Sequence, residues 1–206
     1  MKRPLKFFLA VLAMALWLDP ANCGYAGVEM FIKIGDIKGE VQDPDYAGWS
    51  EVLSWSWGVG RAASASAAGA GDREAPVQAL PFVITKVVDK ASPKLMEACA
   101  KGMKIPSVVL AVRRTEGTNA VEVLKVRLTY VLINQTQWDL KETRVATTAA
   151  ATGTAANDQT LPADGRPAES LVLSFAISEV DYQPTDSGGK PTGELVAGTV
   201  TLPTLP

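Results

Sequence analysis

The chain of 206 residues contains no histidine, and this absence removes a large group of enzymes from consideration. Hydrolases that pair a serine or cysteine nucleophile with a histidine base are excluded, as are zinc and non-haem iron sites that need imidazole ligands. The two cysteines are too few for a cysteine-rich metal site. Neither a P-loop nor a G-x-G-x-x-G motif that opens a helix after a strand is present.

The chain also lacks a strong charge of either sign. It has 20 basic and 22 acidic residues, which gives a formal net charge of −2, and the basic residues are scattered along the sequence. A surface that binds nucleic acid or anionic lipid needs clustered positive charge, so neither is an expected partner. Hydrophobic residues make up 47% of the chain, which is enough for a core in one domain of ordinary size.

The first 26 residues have the three regions of a Sec signal peptide. Lys2, Arg3 and Lys6 precede an apolar run of twelve residues, 7–18, and small residues surround Ala26. A run of this length is too short to cross a bilayer as a helix, which takes about 20 residues. We therefore predict a signal peptide over 1–26, with cleavage after Ala26, and one domain over 27–206.

Two alternatives to this reading of the N-terminus stay open. Cys23 could be a lipidation site, although Pro20-Ala21-Asn22 lacks the small residue expected directly before a lipidated cysteine. Translation could instead start near Val28 or Met30. Cleavage after Ala26 would leave 180 residues with 17 basic and 21 acidic side chains, a net charge of −4. Cys99 would then be the only cysteine, and no internal disulfide could form.

Hydropathy patterns predict an all-β domain, a barrel or sandwich with one embedded helix. The helix spans 92–102, with Ser92 as N-cap, Pro93 in the first turn and Gly102 as terminator. Stretches 60–79 and 143–162 are rich in Ala, Gly, Ser and Thr and are predicted loops. The predicted strands are 30–34, 51–57, 80–88, 108–113, 121–133, 169–182 and 194–202.

Successive side chains of a strand point to opposite faces of the sheet, and this alternation predicts the faces of two strands. In the second strand, Leu53, Trp55 and Trp57 share one face and are predicted to pack in a core or against a neighbouring subunit, while Val52 lies on the other. Trp49, which precedes that strand, is predicted at the surface. In the long strand 121–133, one face is predicted to carry Leu124, Val126, Leu128, Tyr130 and Leu132.

Candidate catalytic groups are few. Four pairs of acidic residues could in principle support carboxylate chemistry of the glycosidase type: Asp36/Glu40, Asp43/Asp45, Asp72/Glu74 and Glu179/Asp181. Each pair lies in a predicted turn or at a strand end, where solvated acids are common, so no catalytic role is assigned to any of them. Cys99 is predicted to be a small core residue, because no cation stands near it to lower its pKa. The sequence thus presents no catalytic, cofactor-binding or metal-binding residues.

Five segments in order resemble one family, Hcp, the hemolysin co-regulated protein of type VI secretion systems. They are MFIKIGDIKGE at 30–40, EVLSWSWG at 51–58, KVVDKASPKLMEACAKG at 86–102, LKVRLTYVLI at 124–133 and RPAESLVLSFAISEVDYQP at 166–184. The resemblance runs from about residue 29 to residue 202 and covers nearly all of the chain that follows the predicted signal peptide.

This resemblance implies a small β-barrel of two sheets with one short helix and long loops, without cofactor and without enzymatic activity. It also implies rings of six copies that stack head to tail into the inner tube of the secretion system, with the spike protein, the sheath and small effectors as further partners. Head-to-tail contacts are the geometry that allows both closed rings and open stacks. The predicted loop 60–79 lies where the family has a loop that reaches toward the adjacent ring.

The predicted signal peptide departs from the family pattern, because a tube subunit assembles in the cytoplasm and leaves through the apparatus. A second hypothesis is therefore an Hcp-like β-domain that is exported by the Sec route and acts alone as a periplasmic or extracellular binding module. The expected location is secreted or periplasmic if the signal peptide is used. It is cytoplasmic before secretion if translation starts near Met30.

Overall fold

A computed structural model describes residues 27–61, 77–117, 119–139 and 166–202. The predicted signal peptide, the predicted loop 143–162 and the interior of the predicted loop 60–79 lie outside these residues. The elements are, in chain order, β1 (Gly27–Ile34), β2 (Ser50–Ser56), β3 (Val59–Arg61), β4 (Val77–Ala79), β5 (Phe82–Val87), α1 (Ser92–Lys101), β6 (Ile105–Glu116), β7 (Asn119–Asp139), β8 (Ala168–Ser174), β9 (Ile177–Tyr182) and β10 (Val196–Thr201).

Six strands close into a barrel in the order β7-β6-β1-β2-β5-β8, with β8 pairing back to β7. All of these pairs are antiparallel. Strands β9 and β10 extend the sheet from β7 beyond the barrel, and β3 and β4 form a separate two-stranded ribbon. The predicted all-β barrel with one short helix is confirmed.

The long strand β7 closes the barrel because one of its edges changes partner. Its residues 124–129 pair with β9, and its residues 132–139 pair with β8. Tyr130 lies between these two stretches and has a φ of 56°. A positive φ is rare for a bulky residue and turns the chain locally, so the strand changes direction here.

Because of this turn, the inward face predicted for β7 is wrong from Tyr130 onward. Val126 and Leu128 are buried, as expected, but Tyr130 is 64% exposed, and the buried positions continue at Val131 and Ile133. The alternation therefore shifts by one residue at Tyr130, which strict periodicity could not anticipate.

A bulge causes a similar shift in β2. The pairing of β2 with β5 changes register between Val52 and Ser54. Val52 is consequently buried in the main core, and Trp55 and Trp57 pack against that same core from the next positions. The prediction that Val52 and Trp55 lie on opposite faces was wrong, because a bulge places two residues opposite one and reverses the alternation that follows.

The predicted strand 169–182 is two strands. β8 ends at Ser174 and β9 begins at Ile177, and Phe175 between them is 2% exposed. Phe175 meets Trp57 and Phe82 edge-on, with centroid distances of 5.6 and 6.3 Å. The buried aromatic ring holds the corner at which the chain leaves the barrel for the β9–β10 extension.

The helix has the predicted bounds within one residue but a different N-terminal arrangement. Ala91 is the cap residue, and no side chain caps the helix. Ser92, the predicted N-cap, is fully buried, and its hydroxyl donates to Glu169 instead. Pro93 lies in the first turn, and Gly102 ends the helix with a φ of 60°, as predicted.

The predicted loop 60–79 is not entirely a loop, since its ends form the β3–β4 ribbon, in which Gly60 pairs with Gln78.

The main core fills the barrel and contacts α1 through Leu95 and Ala98, and Cys99 packs against it as predicted. A second, smaller cluster of Phe31, Tyr46 and Ala111 lies on the other face of the β1–β6 pair.

Candidate assembly surfaces

Strand β10 forms the outer edge of the extended sheet. It pairs with β9 over all six of its residues, from Val196 to Thr201, and no described strand pairs with its other edge. Five of the six residues are exposed, Val196 by 60%, and none is charged. Soluble proteins usually protect such an edge with lysine, proline or a bulge, because its free N–H and C=O groups accept further strands. We call this the β10 edge.

The pairing of β1 with β2 in the barrel wall is incomplete. β1 pairs with β6 along its whole length but with β2 only through Phe31 and Ile32. The two strands separate on the side of Gly27, and a cleft of about 580 Å³ opens between them, lined by residues 28–31, 40–43 and 51–53. We call this the β1–β2 cleft.

Arg113 makes ionic and cation–π contacts beside this cleft. Arg113 on β6 lies opposite Glu29 on β1, donates to its carboxylate at 3.1 Å, and donates to Asp43 at 2.6 Å. Its guanidinium also lies 5.3 Å from the ring centroids of both Phe31 and Tyr46. The hydrogen bond from Arg113 holds the pKa of the Asp43 carboxyl below its usual value, and the same bond raises the pKa of Arg113.

The loop between β1 and β2 is fastened to the barrel through aromatic side chains. Tyr46 stacks on Phe31 at 4.4 Å, and Trp49 meets Tyr46 edge-on at 5.1 Å. The Tyr46 hydroxyl donates to Glu122 at 3.1 Å, and burial together with this carboxylate raises the pKa of Tyr46 to about 12. Trp49, predicted at the surface, is only partly exposed and packs on the edge of this smaller cluster.

The neighbouring strands β5 and β8 hold a buried ion pair. Lys86 on β5 and Glu169 on β8 are both fully buried, and the ammonium lies 2.7 Å from the carboxylate. Lys86 also donates to Asp89 at 2.9 Å and to the carbonyl of Val87 at 2.7 Å. Glu169 accepts from the Ser92 hydroxyl at 2.5 Å and from Trp138 Nε1 at 3.0 Å. The network joins β5, β7, β8 and the start of α1.

Sequence reasoning missed this network. Its signals are Lys86 in the apolar segment FVITKVV and Glu169 at the start of the apolar strand ESLVLSF. A charged residue at an inward position of a strand is costly unless it is paired. The two residues are 83 positions apart, so their pairing follows only from the adjacency of β5 and β8, in which Lys86 lies directly opposite Glu169.

Five of the six described members of the acidic pairs make local ionic or polar contacts, and Asp36 is exposed. Glu179 and Asp181 both lie near Arg127, at 3.9 and 2.6 Å. Glu40 accepts from the backbone N–H of Lys90 at 3.0 Å. Asp43 belongs to the Arg113 cluster, and Asp45, which is 82% exposed, lies at its periphery. Asp72 and Glu74 are outside the described residues. Within the described ranges, no group of three acidic or sulfur ligands could hold a metal ion.

Several large apolar side chains are exposed in addition to the β10 edge. Val59 begins β3, Leu80 follows β4, and Met103 lies shortly after α1. Tyr182 ends β9 and is 49% exposed, next to Leu195 and Val196 at the start of β10. In the part of the chain that the structure describes, no helix is long and apolar enough to span a membrane.

Comparisons with known proteins agree with this architecture. A family model described as type VI secretion system effector, Hcp, matches residues 31–182. Protein hcp1 of Pseudomonas aeruginosa is 42% identical over 167 residues, which covers 81% of this chain and 90% of that protein.

Solved structures share the fold. A structure described as that of a type six secretion system protein superposes with a TM-score of 0.66 at 23% identity and covers 85% of this chain and 96% of its own. Hcp1 from Salmonella typhimurium superposes with a TM-score of 0.59 at 24% identity and covers 86% of this chain and 96% of its own.

Proposed function

The chain belongs to the Hcp family of type VI secretion proteins, which are structural subunits of the secretion tube, and we propose that it performs this role as a ring of six identical copies. The family match carries the tube function, and two features of the structure support self-association. The barrel is closed, so its core needs no partner, while the extended sheet ends in an uncharged edge strand that is exposed. A part of this kind acts through contacts with copies of itself and not through chemistry.

The ring is tested by the oligomeric state of the purified full-length protein. Native mass spectrometry and negative-stain images are expected to show six subunits in a closed ring. A strict monomer at high micromolar concentration would count against the proposal. We further propose that the protein has no enzymatic activity, which is supported by the absence of histidine and by the ionic and polar contacts of the described acidic pairs.

Hcp proteins leave the cell through the type VI apparatus, and secretion by that route is the location that the family membership supports. The stand-alone binding module is not favoured, because the family match spans 31–182 and the relative from Pseudomonas is matched over 90% of its length.

The signal peptide over 1–26, with a domain over 27–206, remains a proposal. It is supported by the basic, apolar and small-residue regions of that segment and by the start of the family match at residue 31, after the proposed cleavage site. N-terminal sequencing of the protein from its native cell tests it. A first residue of Gly27 supports cleavage, whereas Met1 or Met30 would rule out processing after Ala26.

A further inference from the structure

We propose that the buried Glu169 carboxylate couples α1 to the β7–β8 seam, so that the helix and the seam open together. The β7–β8 seam is the pairing of residues 132–139 of β7 with β8, the contact that closes the barrel. The inference rests on contacts within one chain and does not depend on the proposed function. It gives the buried ion pair a conformational role in addition to its effect on stability.

A row of three directly opposed residues crosses the seam. Trp138 on β7 lies opposite Glu169 on β8, and Glu169 lies opposite Lys86 on β5. One oxygen of the carboxylate, Oε2, accepts from Trp138 Nε1 at 3.0 Å. The other, Oε1, accepts from Lys86 Nζ at 2.7 Å and from the Ser92 hydroxyl at 2.5 Å. One carboxylate is therefore shared by the seam and by the first residue of α1.

The helix α1 depends on its contacts with the barrel. It has ten residues, and isolated helices shorter than about 12–15 residues are marginal in water. Its cap residue, Ala91, provides no side-chain hydrogen bond. The buried residues of the helix are Ser92, Leu95 and Ala98, of which Ser92 is the polar one. The hydrogen bond from Ser92 to Glu169 thus fixes the start of the helix against the barrel.

Exclusion of water couples the two contacts of the carboxylate. The Trp138 side chain, which is 47% exposed, reaches the fully buried Glu169 from the surface, and Ser92 reaches it from α1. Opening either contact admits water to the Lys86–Glu169 pair, and such hydrogen bonds are weaker in water than in a protein interior. After one contact has opened, the other therefore opens at a lower cost in free energy. This is a positive coupling between the seam and the helix.

Direct packing of α1 against β7 is an alternative route of coupling. Packing responds to the size of side chains, whereas the shared carboxylate responds to the loss of a single hydrogen-bond donor. Trp138→Phe keeps an aromatic ring and removes the N–H, and Ser92→Ala removes the hydroxyl with little change in volume. These two variants therefore test the carboxylate with little change to the direct packing.

Hydrogen exchange of the full-length protein, measured by mass spectrometry, tests the coupling. Exchange is compared in α1, in residues 132–139 of the seam and in residues 105–112 of β6 as a reference. Trp138→Phe is expected to accelerate exchange in α1 by about fivefold or more relative to the reference, the lower end of typical couplings. Ser92→Ala is expected to accelerate exchange in 132–139, since coupling is reciprocal. In the double variant, each acceleration should be smaller than the product of the two single-variant factors.

Trp49→Phe is the matched control, because it makes the same substitution at a partly exposed tryptophan in the smaller cluster around Phe31. It should leave exchange in α1 unchanged relative to the reference. The proposal is wrong if Trp138→Phe accelerates exchange only in 132–139, or if it accelerates α1 and the reference equally. It is also overturned if the factors multiply in the double variant, or if Trp49→Phe accelerates α1 to the same extent.

Discussion

Two sides of the barrel wall differ in how completely their strands pair. Around β5 and β8, strands pair along their whole length, and a buried ion pair with complete hydrogen bonding joins them to α1. Around β1 and β2, only two residue pairs close the wall, and charged groups at the rim of a cleft face solvent. The first side is sealed by continuous strand pairing, and the second is open at the cleft. Substitutions on the two sides are therefore expected to have different effects.

The largest effect is expected from breaking the sealed side. Glu169→Ala leaves the Lys86 ammonium buried without its main partner, which typically costs about 3–5 kcal/mol of unfolding free energy. Denaturant titration measures it. The matched control is Glu51→Ala, which removes the exposed Glu51–Arg166 pair and is expected to cost less than about 1 kcal/mol. Equal losses in the two variants would contradict the distinction between the sealed and open sides.

A double variant sharpens this prediction. Replacing Lys86 with Met and Glu169 with Leu removes both charges from the interior, so no unpaired ion remains. The double variant is expected to be more stable than Glu169→Ala alone. If it were less stable than that single variant, Asp89 and the Val87 carbonyl would be sufficient to stabilise the buried Lys86 ammonium without Glu169.

A smaller effect, an increase in unfolding free energy, is expected from a substitution of Tyr130, where the pairing of β7 changes from β9 to β8. Tyr130→Asn should raise the unfolding free energy by about 0.5–1 kcal/mol, because asparagine tolerates a positive φ better than a bulky aromatic residue does. The side chain is 64% exposed, so little packing is lost. Tyr182→Asn, at an exposed tyrosine that is not a positive-φ residue, is the control and should give no gain. A loss at Tyr130 would contradict the expectation that the positive φ is strained for tyrosine.

The Arg113 cluster makes the open side sensitive to acid. The pKa of Asp43 is lowered from its ordinary value of 3.8 in the folded protein, so its contribution to stability is present above about pH 4 and is lost as pH falls through the lowered pKa. Thermal melts of Asp43→Asn should lie below those of the unmodified protein at pH 7, and the two should converge as the pH falls through the lowered pKa of Asp43. A constant difference across this range would show that the Asp43 charge is not involved.

The smallest effect on folding is expected at the β10 edge. Val196→Lys changes a side chain that is 60% exposed, so the unfolding free energy should stay within about 0.5 kcal/mol of its original value. The same change places a charge on the edge and should weaken ring formation, as read by sedimentation. Lys190→Val, on the exposed turn before β10, is the opposite substitution and should leave the ring intact. Unimpaired rings in Val196→Lys would argue against β10 as a contact.

The sequence predicted the class of fold because the alternation of strands and the helix signals of Pro93 and Gly102 are local. The predicted alternation of inward and outward side chains was wrong where the strand is interrupted or turned. This happens at the β2 bulge after Val52, at Tyr130, and at the corner around Phe175. Each of these follows from how distant strands meet, which local periodicity does not encode. The Lys86–Glu169 pair was missed for the same reason. The β10 edge could not be recognised from the sequence, because an edge is defined by the absence of a neighbouring strand.

The oligomeric state of the full-length protein tests the central claim most directly. Native mass spectrometry of the unmodified chain at low to high micromolar concentration should show a species of six subunits, with a closed ring in negative-stain images. A single species of one subunit across that range would contradict the account of this protein as a self-assembling tube subunit.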